Sequence, residues 1–258
     1  MVHGTARRRA TARDSLVSGT TVSEQERLDR ISGWYVEQQL NFDRRMVQFR
    51  YETLSPHLRG PEGLELGSAE GEMTRLLLPR FARLTIVDAA RTLLDAIPDV
   101  PNLRKVHSLF EDFEPRERYD TIVMEHVLEH VADPAALLRR SQTWLARDGR
   151  ILIGVPNSQS IHRLVAVKMG LLGSPQELNA RDLQLGHRRV YSPASLRKEV
   201  ESTGLKVTAS GGVFLKPVSN QQIEEHWNES MIRGFFLLGH DFPDHAAEIF
   251  VVCARQDA

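Results

Sequence analysis

The stretch Leu64-Glu65-Leu66-Gly67-Ser68-Ala69-Glu70-Gly71 constrains the fold of this chain more than any other. Strand-compatible positions run into a glycine, a small polar residue and a second glycine four positions after the first. Met73, Leu76, Leu77 and Leu78 then begin an apolar pattern at helical spacing. The reading is a strand, a tight turn and a helix, with side chains missing where a ligand would have to come close to the backbone. The apolar run Leu84-Thr85-Ile86-Val87 ends in Asp88, 21 residues after Gly67. A carboxylate at the tip of the second strand of a βαβ unit is placed to accept hydrogen bonds from ribose hydroxyls. A dinucleotide site would want G-x-G-x-x-G to bring a pyrophosphate onto the helix. The spacing here is Gly67-x-x-x-Gly71, with Glu70 and Glu72 at the mouth of the helix. Two carboxylates there disfavour a pyrophosphate and suit a cationic ligand.

Composition narrows the class further. At 258 residues the chain suits one α/β domain with additions, large enough for a full core. Charged residues make up 26% and apolar ones 41%, so neither a disordered nor a membrane composition applies. A formal net charge of −1 gives no global attraction to nucleic acid or an anionic membrane, and the expected partner is a small molecule. The single cysteine, Cys253, excludes an internal disulfide and any multi-cysteine metal site. No apolar run approaches the roughly 18 residues of a membrane span, and no signal-peptide core is present. The cytoplasm is the default expectation, and a homodimer is left open.

Residues 1–21, with Arg7-Arg8-Arg9 and almost nothing to bury, read as a flexible tail ahead of one domain over 22–258. Apolar spacing predicts two helices over 22–60, divided near Asn41-Phe42-Asp43, as an N-terminal helical cap. Trp34, Tyr35 and Phe42 either line a pocket or pack on the core. Strands are expected near 63–66, 83–87, 103–106, 120–125, 150–155, 206–212 and 247–253. Helices are expected near 71–79, 90–96, 134–146 and 193–203, the last with Ser192 as cap, Pro193 in the first turn and Gly204 beyond its end. Such alternation gives a mostly parallel sheet with helices on both faces. Two stretches, 158–187 and 213–245, fall outside the alternation and are read as substrate-side insertions.

The glycine turn, Asp88, the run from Tyr119 to Pro134 (YDTIVMEHVLEHVADP) and the run from Leu145 to Asn157 together resemble the class I S-adenosylmethionine-dependent methyltransferases. The resemblance covers roughly residues 45 to 157. It implies a Rossmann-like seven-stranded, mostly parallel sheet with an antiparallel last strand. It implies further that Gly67, Ser68 and Gly71 pass under the cofactor and that Asp88, with Ala89 beside it, takes the ribose. Glu65 would order the loop, Ser108, Leu109 and Phe110 would border adenine, and Glu125 and His126 would close the pocket. Arg44 and Arg50 are candidates, from their charge, to hold the cofactor's carboxylate.

His126-x-x-Glu129-His130 places three side chains on one face of a helical turn, and His187 follows in Gly186-His187-Arg188-Arg189. His126, Glu129, His130 and His187 make a divalent-metal set of oxygen and nitrogen ligands. Similar Glu/His sets occur in small-RNA 2′-O-methyltransferases and ubiquinone-pathway O-methyltransferases, which have glutamate where this chain has His126. Two other readings stay open: His126, His130 or His187 as general base, and Glu129 with His130 as a structural brace. Tyr191, Arg188, Arg189, Lys216, His226 and Trp227 are further residues able to reach a substrate. The expectation is methyl transfer to oxygen, or nitrogen, of a small molecule of the sugar or secondary-metabolite kind. The rivals are a non-catalytic binder of the same cofactor, a macromolecular methyltransferase, which the balanced charge disfavours, and a nucleotide-dependent oxidoreductase, which the glycine spacing disfavours.

Overall fold

A computed structural model describes residues 23–27 and 41–256. The tail 1–21 and most of the first expected cap helix, with Trp34 and Tyr35, lie outside the described residues. Seven strands form one sheet: β1 (Glu62–Leu66), β2 (Arg83–Asp88), β3 (Leu103–His107), β4 (Tyr119–Glu125), β5 (Leu145–Pro156), β6 (Leu205–Val213) and β7 (Glu248–Arg255). Their order is β3-β2-β1-β4-β5-β7-β6. Only β7 runs antiparallel to its neighbours β5 and β6. The chain order reverses at β1, next to β4, so both ends of the topological switch point leave the same edge of the sheet, where open α/β sheets place their ligands.

The helices are α1 (Asn41–Leu54), α2 (Glu72–Leu77), α3 (Arg91–Ala96), α4 (Pro134–Trp144), α5 (Ile161–Lys168), α6 (Ala180–Gln184), α7 (Pro193–Ser202), α8 (Asn220–His226) and α9 (Glu229–Asp241). Their starts follow from local chemistry. Asp133 accepts from the Ala136 N–H ahead of Pro134 in α4, and Ser192 forms a capping box with Ser195 ahead of Pro193 in α7. Asn179, Ser219 and Asn228 cap α6, α8 and α9 in the same way. No helix among the described residues is long and apolar enough to cross a membrane.

Strand alternation divides the core. Ile151, Ile153, Val155, Ile249, Val251 and Cys253 face α4 and α7, whereas Leu152, Phe250 and Val252 face α1, α8 and α9. On the second side Phe49 of α1 stacks on Phe236 of α9 with ring centroids 4.3 Å apart, and Phe42 meets Phe214 edge-on at 5.2 Å. Phe42 is therefore a core residue. Such ring pairs contribute about 1 kcal/mol each beyond their buried area, which ties α1 and the segment 213–245 into one layer.

The largest departure from the expected boundaries lies between α4 and β5, while the helix expected near 71–79 closes as α2 at Leu77. α4 ends at Trp144 rather than 146, and β5 begins at Leu145, which pairs with Tyr119 before the register slips and resumes at Arg150 opposite Thr121. Leu145 is buried, and a Cβ on Gly149 would stand 2.7 Å from the Tyr119 carbonyl oxygen. Burial of a leucine and the tight approach of a glycine outweigh helical spacing there.

Candidate active site

The turn after β1 is built by backbone conformation. Gly67 and Gly71 both adopt left-handed angles (φ 77° and 79°), and Ala69 joins them at 42°. A Cβ on Gly71 would also lie 2.8 Å from Ile97, so helix packing demands glycine there as well. Asp88 holds the turn: its carboxylate accepts from Ala69 N–H at 3.1 Å and from Ala90 N–H at 2.9 Å. Burial raises the Asp88 pKa against the pull of these donors. Ser108 N–H donates to the Asp88 carbonyl, the Ser108 hydroxyl donates to Leu109 O, and the Phe110 ring reaches within 3.8 Å of where a Gly67 Cβ would stand. His107 and Gln25 both contact the Ala89 carbonyl. Gly67, Ser68, Gly71, Asp88, Ala89, Ser108, Leu109 and Phe110 thus gather around one turn. Ser68 is buried and its hydroxyl has no partner among the described residues.

Three carboxylates lie on one face of the sheet. Glu65 pairs across β1–β4 with Val123, Glu125 pairs with Gly154, Gly154 with Phe250, and Glu248 stands two residues before Phe250. The period of two puts Glu65, Glu125 and Glu248 on the side covered by α1 and α2. Glu65 accepts the Thr74 hydroxyl at 2.6 Å, yet burial pushes its carboxyl up to about 8. Burial raises Glu125 to about 7, and its Oε1 has no hydrogen-bond partner among the described residues. Its carboxyl fills the space above Gly154 that any larger residue would occupy.

Glu248 is the ionised member. Arg50 of α1 donates to it twice, at 2.8 and 3.0 Å, and His126 Nε2 lies 3.2 Å away. Burial opposes its ionisation, but Arg50 and His126 hold its pKa well below the usual carboxylate range. His126 follows β4 in a left-handed conformation (φ 55°), anchored by its N–H to Gly154 O at 2.9 Å. This swings its ring between Glu248 and Glu129, whose Oε1 is 3.2 Å from Nδ1. Burial and Arg50 push the imidazole pKa down, but the two carboxylates prevail and raise it to about 9. Arg50, His126, Glu129 and Glu248 therefore form a largely buried quartet of two cations and two anions, with Arg50 and His126 half-buried. Arg50, expected to hold a cofactor carboxylate, is committed to Glu248, and Arg44 lies exposed on α1.

The turn after His126 faces the segment that brings His187. Ligand atoms of Glu129, His130 and His187 lie within 4.8 Å of one another, and the His130 and His187 rings meet edge-to-face. His126, engaged by its two carboxylates, stands outside that group. Glu129 is fully buried, and burial lowers His130 to about 4 despite the Glu129 charge. The two arginines after His187 clamp the turn. Arg188 donates its backbone N–H to Glu129 O and its Nε to His130 O, both at 2.8 Å. Arg189 donates to the carbonyls of Leu128, Val131 and Ala132. Behind His187, Asp182 Oδ1 lies 3.3 Å from Nδ1, and Arg163 bonds the same carboxylate at 2.9 Å.

Other expected substrate-side residues divide. Lys216 donates to Asn220 at 2.8 Å, and burial lowers it to about 8. Trp227 packs at a tilt against Phe235, His226 is exposed, and Tyr191 is buried with its hydroxyl donating to Glu199. A cleft of about 440 Å³ between α1 and α9 borders none of the glycine-turn residues, and its Arg233 pairs with Glu52. Glu248, Asp182 and Arg163 were not singled out from the sequence. The one signal for Glu248 is a charge heading the apolar run 249–253.

A model of the methyltransferase domain matches residues 37–210. The ubiquinone biosynthesis O-methyltransferase of Aeromonas salmonicida is 26% identical over 172 residues, 64% of this chain and 71% of its own length. Among solved structures, a methyltransferase of Thermotoga maritima described as a possible histamine N-methyltransferase superposes with a TM-score of 0.61. It is 13% identical, over 89% of this chain and 100% of its own. The N-methyltransferase NodS of Bradyrhizobium japonicum, in complex with S-adenosyl-L-homocysteine, gives 0.53 at 16% identity, over 90% and 96%. With the family match spanning most of the sheet and the glycine turn and Asp88 meeting as described, the chain belongs to the class I S-adenosylmethionine-dependent methyltransferases.

Proposed function

We propose that this enzyme methylates an oxygen of a small molecule, of the sugar or secondary-metabolite kind, and that Glu129, His130 and His187 form its divalent-metal site. The observation that carries the reading is the convergence of these three ligands just past the carboxyl end of β4, where the neighbouring Val127 side chain stands 3.1 Å from the position of a Gly67 Cβ. The name of the Aeromonas salmonicida relative supports oxygen as the acceptor atom.

The site fits the cofactor in its unpaired Ser68 hydroxyl and in Asp88 at the strand tip. Glu65, Gly67, Ser68, Gly71, Asp88, Ala89, Ser108, Leu109, Phe110, Glu125 and His126 would hold it. When bound, S-adenosylmethionine supplies a methyl group on a sulfonium, which the acceptor oxygen displaces in line. Asp88 would bind the ribose, and Phe110 would offer an apolar face. The metal set fits in its donor chemistry and in Glu129 Oε2 and His187 Nε2, neither of which has a hydrogen-bond partner among the described residues. A divalent cation there would lower the pKa of the acceptor hydroxyl. His126, held protonated by Glu129 and Glu248, contributes fixed positive charge rather than taking a proton. His130, kept neutral by burial, offers a lone pair.

Calorimetric titration with S-adenosylmethionine, with metal analysis before and after chelation, tests both parts. Asp88→Ala removes two hydrogen bonds to a carboxylate and should weaken cofactor binding by about 100-fold or more. Wild-type protein that fails to bind the cofactor would overturn the assignment. His130→Ala should lose manganese binding with cofactor affinity retained. Wild-type protein that binds no manganese, zinc or cobalt would remove the metal and leave His130 as base.

A further inference from the structure

The segment between β5 and α7 supplies His187, and its own hydrogen bonds dictate how the ring is presented. Asp182 is the third residue of α6, in a capping box: its Oδ2 accepts from Asn179 N–H at 2.9 Å, and Asn179 Oδ1 accepts from Asp182 N–H at 2.8 Å. Arg163 of α5 donates to the same Oδ2 at 2.9 Å and to the carbonyls of Pro175 and Glu177. Oδ2 is taken by two donors, and Oδ1 lies 3.3 Å from His187 Nδ1, a buried ring nitrogen with no other partner among the described residues. The backbone completes the hold. Gly186 turns left-handed (φ 77°), and His187 N–H donates to Asp182 O at 2.9 Å. All three side chains are buried, at 4%, 7% and 6% exposure, so water does not replace these partners. An ionised carboxylate only accepts, so the nitrogen facing it carries the proton and the other is left with its lone pair. His187 Nε2 has no partner among the described residues, and its ring stands edge-to-face against His130, beside Glu129.

We infer that Asp182, fixed by Arg163, is a positioning residue that sets the His187 tautomer with hydrogen on Nδ1 and aims Nε2 at Glu129 and His130. The segment 158–187 then builds the site as well as flanking it. The assignment rests on reading Glu129, His130 and His187 as the ligand set. Carboxylate partners of this kind raise the donor strength of a histidine and fix its orientation.

Nitrogen NMR of histidine-labelled protein, freed of metal and cofactor and with His187 assigned through His187→Gln, reads the tautomer directly. The wild type should show Nδ1 protonated and Nε2 bare. The opposite pattern overturns the inference, and this measurement needs no variant of Asp182 to fold. Asp182→Asn should mix the two tautomers and weaken Co²⁺ binding by about 10–100-fold, with cofactor binding intact. Unchanged tautomer and unchanged Co²⁺ affinity in that variant overturn it too. The expected wild-type tautomer in a protein that binds no Co²⁺ would support the positioning role while refuting the metal reading.

Discussion

Replacing Glu248 by glutamine removes the one charge that neutralises both Arg50 and His126. Arg50 and Glu248 share two hydrogen bonds at 2.8 and 3.0 Å, with side chains 17% and 12% exposed. Glutamine keeps the shape and one acceptor, but its amide turns donors toward a guanidinium or an imidazolium. Deleting one partner of a buried pair costs about 3–5 kcal/mol, most of it from the cation left behind. Partial exposure of both side chains sets the expectation at the low end, about 3 kcal/mol. For a chain of this size about 2–4 °C is lost per kcal/mol, so the melting temperature should fall by roughly 6–12 °C. Urea unfolding at pH 6 should show a lower midpoint with an unchanged slope. The sign of the pH dependence is fixed by the direction of the Glu248 shift. Its native pKa is depressed from 4.5, so its stabilisation is complete above pH 4.5 and is lost as pH falls through the native value. The gap between wild type and Glu248→Gln should therefore shrink on acidification below pH 4.5. A loss under about 1 kcal/mol at pH 6 would refute the reasoning, because a pair worth so little behaves as a solvated surface contact.

Two further substitutions test the buried carboxylate at β1 and the glycine turn. Glu65 has a native pKa raised from 4.5 to about 8, so the native state keeps a proton that the unfolded chain releases, and stability falls as pH rises across that interval. At about 1.4 kcal/mol per unit the loss is bounded near 5 kcal/mol. Glu65→Gln, which still accepts from Thr74, should flatten the dependence of the urea midpoint between pH 5 and 9, and an unaltered slope would contradict the raised pKa. Gly71→Ala forces a side chain into a left-handed residue and against Ile97 2.8 Å away. It should cost about 2–4 kcal/mol from the two terms together; a melting temperature within 2 °C of wild type would show that the turn yields freely.

Much of the scaffold is legible along the chain because it is set by local periodicity. Short continuous apolar runs such as Leu84-Thr85-Ile86-Val87 and Ile249-Phe250-Val251-Val252, and caps such as Ser192-Pro193, need only neighbouring residues to act. Gly67 and Gly71 are legible for the same reason, since left-handed backbone favours glycine through local sterics alone. Asp88 is legible by its fixed place at a strand tip. His130 and Glu129 stand close in sequence and stay close in space. The company kept by His126 is not legible. Its left-handed backbone and its place between Glu129 and Glu248, 122 residues further on, depend on β7 entering between β5 and β6. The same holds for Arg50, whose charge suggests a ligand until β7 delivers Glu248 beneath it, and for Asp182, a cap by local pattern that becomes the partner of His187 only when α5 brings Arg163 across. Sequence by itself determined the strands, the turn and the family, because short-range sterics and hydrophobic period act within a few residues. The tertiary structure alone decided which carboxylates ionise and which histidine stays protonated. Those outcomes follow from burial and from charges brought together across the sheet, and neither is a property of any local stretch.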